Sequence, residues 1–395
     1  MITRPAPVAT GRLPAMRILI RLLATVATWA VVAAAVAAAP PAQAAPGSAP
    51  AADAGCESKS PAQPDEAPVL AHFYIWFHPT AWNRAKTDYP TVGRYSSSQT
   101  SVMRQQVAQA RGAGIDGFMV GWRSTETLNR RLAALRGIAA ESDFKLAVTY
   151  QAQDFNRNPL PVAQVQRDLE ELAATYADDP VFHVFGPRPV VALSGTWHYS
   201  EDELRSITEP VSTRLTVLAT EKNVADYERV ASTVDGELYY WSSGDPQETR
   251  GYQEKLRDMA DVVRQHCGIW VAPVMPGYDA RELGGTQVVD RRDGATLRSS
   301  WEAATATVPD AIGVISWNEF SENTHIEPST AFGTRYLDVL RSLTGAPSPS
   351  GELDSSEPQG AGSPTRAAFT VTAVLGLSAL VTVIGVRRHR RNGRE

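Results

Sequence analysis

The sequence predicts an α/β protein built as a (β/α)8 TIM barrel, and three observations lead to this fold class. Short apolar runs rich in β-branched and aromatic residues recur eight times in the middle of the chain. Amphipathic stretches with helical spacing separate several of these runs. The alternation fills residues 65–345, a length of about 280 residues that suits one barrel domain.

The eight predicted strands leave room for a helix between most neighbours. They are Val69–Phe77, Ile115–Trp122, Lys145–Tyr150, Pro189–Leu193, Leu215–Thr220, Glu237–Trp241, Ile269–Val274 and Ala311–Trp317. Helical spacing of apolar residues is clearest over Val102–Ala110, Leu128–Ile138, Val165–Ala174 and Tyr252–Val263. A doubly wound open sheet is the alternative, but no G-x-G-x-x-G loop follows the first strand.

Residues 1–44 have the pattern of a secretory signal peptide. Arginines precede the apolar run Leu22–Ala39, and an Ala-x-Ala pattern places the cleavage after Ala44. An uncleaved N-terminal anchor is the alternative. Residues 45–64 are rich in Ala, Pro, Ser and Asp, which predicts a disordered linker.

The other end predicts a membrane anchor. A second disordered linker, 346–366, leads into the uncharged apolar segment 367–386, which is long enough to cross a bilayer as one helix. The basic tail 387–395 then marks the cytoplasmic side. A cell-wall sorting signal has a similar layout, but no Leu-Pro-x-Thr-Gly sequence precedes the span. We expect a single-pass protein of the cell membrane whose main domain, residues 65–345, is extracellular.

The charge of the exported part argues against an anionic partner. Residues 1–44 hold four arginines and no acid, and residues 387–395 hold five arginines and one glutamate. Residues 45–386 therefore keep 29 basic and 42 acidic residues, a net charge of −13. Nucleic acids select basic surfaces, so we expect a neutral ligand and no nucleic acid. We also expect a monomer.

Cys56 and Cys267 lie in the exported part and form a possible disulfide, which the sequence leaves open.

Aromatic and polar residues collect where the predicted strands end, and this end of a barrel carries its functional groups. Sugars stack their C–H faces on aromatic rings and need polar partners for their hydroxyl groups. The candidate substrate-binding residues are Tyr74, Trp76, Trp122, Tyr150, Trp197, Glu221, Tyr240, Trp241, Asn318, His325 and Glu327. Ordinary core packing is the alternative for each of them.

Carboxylates are the best candidates for chemistry. The seven histidines show no metal-ligand spacing, no G-x-S-x-G elbow exists, and Cys267 has no evident base, so we expect neither a metal nor a cofactor. Glu319 and Glu322 follow the last predicted strand three residues apart, so that one turn brings them together. Glycoside cleavage commonly uses two such carboxyl groups. A capping or surface role for Glu322 is the alternative.

The segment Trp317–Pro328, Trp-Asn-Glu-Phe-Ser-Glu-Asn-Thr-His-Ile-Glu-Pro, carries a family resemblance. It resembles the Asn-Glu-Trp-His-Glu-Gly-Thr-x-Ile-Glu signature of glycoside hydrolase family 99, the endo-α-mannosidases. It is also similar to the Trp-Asn-Asp-Tyr-Gly-Glu-Ser motif of family 71, the endo-α-1,3-glucanases. The likeness covers most of residues 69–341 and includes Ala113–Gly117, Asp179–Phe182, Pro276–Asp279 and Arg291–Gly294.

The resemblance implies a retaining, endo-acting hydrolase of α-linked polysaccharide. By motif position, Glu319 is the base on the substrate's 2-hydroxyl, which leads to a 1,2-anhydro sugar, and Glu322 is the general acid and then base. Spacing alone fits an ordinary nucleophile equally well. Asn323 replaces the motif's glycine, Phe320-Ser321 replaces Trp-His, and 150–154 lacks the family's Glu-Pro-Tyr, so the sugar is open. An endo-α-1,3-glucanase and a non-catalytic carbohydrate-binding barrel are the alternatives.

Overall fold

The computed structural model describes residues 67–154 and 156–347, and eight parallel strands of this part form a closed barrel. The barrel strands are β1 Val69–Tyr74, β2 Gly117–Trp122, β3 Lys145–Gln151, β4 Val190–Ser194, β5 Thr216–Ala219, β6 Gly236–Leu238, β7 Ile269–Val274 and β10 Ala311–Val314. Two short strands, β8 Tyr278–Asp279 and β9 Val288–Val289, pair as an antiparallel hairpin after β7. All eight predicted barrel strands are present, so the predicted fold class is confirmed.

Helices follow the strands and cover the outside of the barrel. They are α1 Thr100–Arg111, α2 Glu126–Ala140, α3 Val162–Tyr176, α4 Glu201–Thr208, α5 Val224–Val230, α6 Tyr252–Gln265, α7 Ala295–Thr305 and α8 Arg335–Thr344. The four predicted amphipathic stretches fall within α1, α2, α3 and α6. Polar side chains begin several helices; the Ser200 hydroxyl, for example, accepts the Glu203 amide at the start of α4.

The ring closes between β1 and β10. Val69 is in register with Ile312, and Ala71 is in register with Val314. The other strands pair in chain order, with β10 lying between β1 and β7. A closed parallel ring excludes the open doubly wound sheet that the sequence left as an alternative.

Side-chain alternation divides the core into two layers. One apolar cluster contains a side chain from every barrel strand, so it must fill the inside of the ring. Its members include Leu70, Met119, Ala147, Val190, Leu218, Leu238, Ile269 and Ala311. On every barrel strand except β6, whose neighbouring position is the buried Glu237, the neighbouring residues belong to the larger cluster between the barrel and its helices. This parity decides which residues at the strand ends face the mouth.

The predicted segments at the two ends lie outside the described residues. They include the signal peptide 1–44, the membrane segment 367–386 and Cys56, so these stay predictions, and so does the disulfide with Cys267. Over residues 67–154 and 156–347, no helix has both the length and the hydropathy needed to cross a bilayer.

Gly236, the first residue of β6, packs closely against the backbone of β7. A Cβ atom there would lie 2.2 Å from the carbonyl oxygen of Ile269 and 2.5 Å from its nitrogen. Both atoms belong to β7 and cannot move without disturbing the ladder. We expect Gly236→Ala to lower the free energy of unfolding by about 2–3 kcal/mol, measured by urea denaturation.

Gly137 in α2 is the matched control for this substitution. Nothing lies within 4 Å of a Cβ atom built there, so Gly137→Ala meets no obstacle and favours the helix. It should raise stability by about 0.5–1 kcal/mol. Equal stability of the two variants would contradict the tight approach of β6 and β7.

Candidate active site

Asn318 fixes the segment that follows β10. Its side-chain Oδ1 accepts the backbone N–H of Tyr74 at 2.8 Å, and its Nδ2 donates to the Tyr74 carbonyl at 2.9 Å. Nδ2 also lies 3.1 Å from the Tyr95 hydroxyl oxygen. The amide therefore extends the β1–β10 pairing beyond the last ladder residue, Val314. Asn318 is fully buried and its observed partners are protein groups, so its contact with a sugar stays a prediction.

Glu319 comes next and is held in a defined orientation. Its N–H donates to the Ser316 hydroxyl at 2.8 Å, and its carboxylate Oε1 accepts the Ser321 N–H at 2.9 Å. Residues 320–323 form a tight turn rather than a helix, and Glu322 lies on it. Glu319 is 9% exposed and Glu322 is partly exposed. The structure thus brings the two predicted carboxyl groups together at the mouth of the barrel.

The surroundings make the two carboxyl groups unequal. Burial, followed by the charge of Glu319, raises the pKa of Glu322 to about 7, and Arg157 opposes the shift. Burial also raises the pKa of Glu319, but the Ser321 amide and the Lys86 ammonium oppose this shift. The Ser321 N–H and the Lys86 ammonium favour the charged form of Glu319, and the charge of Glu319 favours the protonated form of Glu322, so we expect the shared proton on Glu322. Such a division between two carboxyl groups is what acid–base chemistry requires.

An aromatic wall faces this pair. The hydroxyl oxygens of Tyr74 and Tyr240 lie 3.1 Å apart. Burial, reinforced by the charges of Glu319 and Glu322, raises the pKa of both phenols well above the usual value. Trp76 stacks on Tyr74 with ring centroids 4.2 Å apart and is 38% exposed. Three predicted substrate-binding residues, Tyr74, Trp76 and Tyr240, thus lie beside the carboxyl pair. The indole of Trp76 is open to solvent.

Tyr278 and Gln151 also reach the mouth, although neither was predicted from the sequence to bind substrate. The charge of Glu322 adds to burial in raising the pKa of Tyr278. A Cβ atom on Gly121 would lie 2.7 Å from the Tyr74 ring and 3.7 Å from Nε2 of Gln151, so this glycine leaves the space in which the two side chains meet. Strand parity could have found Gln151, because Ala147 faces inward four residues earlier.

A second set of predicted residues packs between the strands and the helices. Tyr150 is fully buried and its hydroxyl donates to Asp168 of α3 at 2.8 Å, while the Trp122 indole N–H donates to Asn129 of α2 at 2.9 Å. Trp241 stacks on Tyr252 of α6 with centroids 4.6 Å apart. Each of the three lies three residues after an inward-facing residue of its strand, namely Met119, Ala147 or Leu238. Side chains an odd number of residues apart point to opposite faces of a strand. The structure therefore places these rings away from the carboxyl pair.

Two further candidates at strand ends also make contacts with protein groups. The Lys222 ammonium lies 4.1 Å from the centroid of the Trp197 ring. Glu221 is buried; its backbone N–H donates to Glu237 at 2.6 Å, and its carboxylate lies 3.5 Å from the Arg229 guanidinium. Their predicted role in binding substrate stays untested, and these contacts do not join them to the mouth.

His325 and Glu327 support the active-site turn from below. His325 Nε2 lies 3.0 Å from Asp88 Oδ2, and its ring stacks on Phe320 with centroids 3.9 Å apart. Glu327 accepts the Tyr95 hydroxyl at 2.9 Å and the Gln106 amide at 2.7 Å. Burial lowers the pKa of His325 to about 4 and raises that of Glu327 to about 8. Both groups are therefore mainly uncharged near neutral pH.

The described residues do not bring three or more His, Cys, Asp or Glu side chains together as a metal ion would require.

Asn323 ties neighbouring loops to the turn that carries Glu322. Its φ of 51° lies in the left-handed region, which glycine adopts freely and asparagine adopts more readily than most other residues. Its side chain accepts the Thr87 hydroxyl at 3.0 Å and donates to the Asp279 carbonyl at 2.9 Å. The Asp279 N–H in turn donates to the Glu322 carbonyl at 2.8 Å.

Substitutions at Asn323 should separate backbone conformation from these side-chain bonds. Asn323→Gly keeps the left-handed conformation and loses two hydrogen bonds, so we expect a loss of about 1 kcal/mol in unfolding free energy. Asn323→Val adds the strain of a β-branched residue, for a loss of about 2–3 kcal/mol. Thermal unfolding measures both. A valine variant as stable as the glycine variant would show that the conformation is not strained.

Comparison with known proteins assigns the chain to a family. The sequence profile described as Glycosyl hydrolase family 99 matches residues 68–343. A Rattus norvegicus protein, glycoprotein endo-alpha-1,2-mannosidase, is 22% identical, and the match covers 63% of this chain and 59% of the rat protein. This chain therefore spans less than two thirds of that relative.

Solved structures agree with this assignment at the level of the fold. The GH99 endo-alpha-mannosidase from Bacteroides thetaiotaomicron superposes with a TM-score of 0.61 at 19% identity, covering 70% of this chain and 96% of that one. A structure described as a glycoside hydrolase-like protein gives a TM-score of 0.56 at 16% identity, covering 70% and 94%. The family profile extends over more than half of the sequence and includes both candidate glutamates. This chain therefore belongs to glycosyl hydrolase family 99, and the predicted enzyme class, glycoside hydrolase, is confirmed.

Proposed function

We propose that this protein is a retaining, endo-acting glycoside hydrolase that cleaves an α-linked polysaccharide of the mannan type. The observation that carries the proposal is the pair Glu319 and Glu322, whose carboxyl groups interact at the barrel mouth, with Glu319 bonded to the Ser321 N–H and Glu322 partly exposed. The activity named for the rat relative supports an α-mannoside as the substrate. Family 71 enters only through the likeness of the motif at residues 317–323, which keeps the α-1,3-glucanase as the second candidate.

Each carboxyl group has one role in the proposed first step. Ionised Glu319 takes the proton of the sugar's 2-hydroxyl, whose oxygen attacks C1 and forms a 1,2-anhydro sugar. Protonated Glu322 gives its proton to the glycosidic oxygen as the C1–O bond breaks. An alternative is direct attack of Glu319 on C1 as a nucleophile. Both routes use the same proton donor.

The second step reverses these roles. Ionised Glu322 takes a proton from water, whose oxygen opens the three-membered ring at C1. The 2-oxygen recovers its proton from Glu319, so that both carboxyl groups return to their starting states. Two inversions at C1 retain the configuration. The Ser321 N–H keeps the Glu319 carboxylate in one orientation throughout.

The aromatic wall supports the binding of a neutral sugar. The exposed face of Trp76 offers a surface for the C–H face of a pyranose, and Tyr74 behind it fixes the indole. The Tyr74 and Tyr240 hydroxyls reach the same space and supply polar contacts. The predicted signal peptide and anchor would put this mouth outside the cell as a membrane-tethered monomer that meets glycans there.

Removal of the proposed acid is the first test. Glu322→Gln should lower turnover of α-mannan by roughly 10²–10⁴-fold, because the leaving oxygen then receives no proton, while binding and stability persist. The measurement is reducing-end release by the purified full-length chain, with α-1,3-glucan alongside. Glu282→Gln, at an exposed site on the β8–β9 hairpin, is the matched control and should keep full activity.

The outcomes of this test separate the candidates. A fully active Glu322→Gln protein would show that Glu322 is not the general acid. Release from α-1,3-glucan alone, lost in the variant, would favour the glucanase. Saturable binding of α-mannan without new reducing ends would favour a non-catalytic carbohydrate-binding barrel.

The pH dependence gives an independent check of the roles. The pKa of Glu322 is raised to about 7, so the fraction that carries the donated proton falls as pH rises above that value. We expect kcat/KM on α-mannan to fall about tenfold per pH unit on the alkaline side of this point. Steady-state rates from about pH 5 to pH 9 measure it. A rate that stays flat to pH 9 would rule out Glu322 as the acid.

A further inference from the structure

The loop between β1 and α1 brings a lysine to the edge of the carboxyl pair. The Lys86 ammonium donates to the Ser321 hydroxyl at 3.0 Å, and the two residues are 235 positions apart in the chain. It also donates to the carbonyl oxygens of Ala81 at 3.1 Å and Arg84 at 3.0 Å. Three acceptors match the three donors of an ammonium group, so its position is well defined.

The surroundings of Lys86 strengthen the effect of its charge on nearby groups. Its nitrogen lies 5.7 Å from the ring centroids of both Phe77 and Trp82, which are buried. Burial lowers the pKa of Lys86, and Glu319 opposes that shift. Apolar rings on one side reduce screening by water, so the charge acts more strongly on groups nearby.

Ser321 joins this cation to Glu319. Its hydroxyl accepts from the Lys86 ammonium, and its backbone N–H donates to Glu319 Oε1 at 2.9 Å. The short side chain of Ser321 leaves room for the Lys86 ammonium, which comes from another loop.

The other charged and titratable groups around the pair act differently. Tyr74 and Tyr240 interact with both carboxyl groups, and Tyr278 interacts with Glu322. Arg157, from the loop after β3, lowers the pKa of Glu322, while Arg84 repels Lys86. Lys86 is the side-chain cation that opposes the upward pKa shift of Glu319.

We propose that Lys86 is a positioning residue that, through Ser321, keeps Glu319 as the ionised member of the pair and so leaves the transferable proton on Glu322. Two adjacent carboxyl groups share protons, and a fixed cation beside one of them decides where the proton stays. The inference rests on the proposed function for its role in turnover. The state of the proton itself can be measured without any substrate.

The direct test is a carboxyl titration followed by carbon-13 NMR on glutamate-labelled full-length protein. Glu319→Gln and Glu322→Gln assign the two resonances. We expect Glu319 to titrate at higher pH in Lys86→Met and in Lys86→Gln, and near its original pH in Lys86→Arg. The glutamine variant can keep the bond to Ser321, so it separates charge from hydrogen bonding. An unchanged Glu319 titration in either folded uncharged variant would overturn the inference.

Activity on α-mannan provides the second readout. Loss of the cation should move the acid limb of kcat/KM to higher pH, so that the rate at about pH 5 relative to pH 7 falls roughly tenfold in Lys86→Gln. Lys86→Arg should restore the profile. A rate reduced equally at every pH would indicate a merely structural lysine and overturn the inference. A wild-type protein that cleaves neither polysaccharide would refute the proposed function, while the NMR titration still decides the role of Lys86.

Discussion

The pairing of the Asn318 amide with both backbone groups of Tyr74 is the interaction on which the mouth of the barrel depends. β10 ends at Val314, and the last backbone bond to β1 is donated by the Trp317 N–H to the His72 carbonyl, one residue before Asn318. The side chain imitates one more ladder partner, so the two ends of the sheet stay in register beyond the last backbone bond. Tyr95 and Glu327 support this amide from behind, and a buried polar group left without its partner is costly.

Burial at this place has a chemical effect as well as a structural one. Removing Glu319 and Glu322 from water disfavours two negative charges side by side, and the surrounding dipoles decide which charge persists. The same low polarity keeps Glu327 and His325 mainly uncharged near neutral pH. The supporting groups therefore hold the turn without adding strong fields of their own.

The sequence predicted the eight strands because each is a compact apolar run, and it predicted the carboxyl pair because both residues follow one strand. The strand-end aromatics were predicted less well. Trp122, Tyr150 and Trp241 point toward the helices, and only the register against inward residues such as Met119, Ala147 and Leu238 reveals this. Lys86, Asp88 and Tyr95 come from a loop with no periodic pattern. Their partners lie more than 220 positions away, a distance over which spacing carries no information.

The β8–β9 hairpin has a consequence for how such an enzyme can diversify. Its residues 281–288 are exposed and include the apolar side chains Leu283 and Val288. Asp279, at its base, bonds to the turn that carries Glu322, whereas the tip lies beyond these anchoring bonds. Substitutions and insertions at the tip can thus accumulate over evolutionary time without disturbing the bonds that hold this turn. The surface of the hairpin can therefore change while the reacting groups keep their geometry.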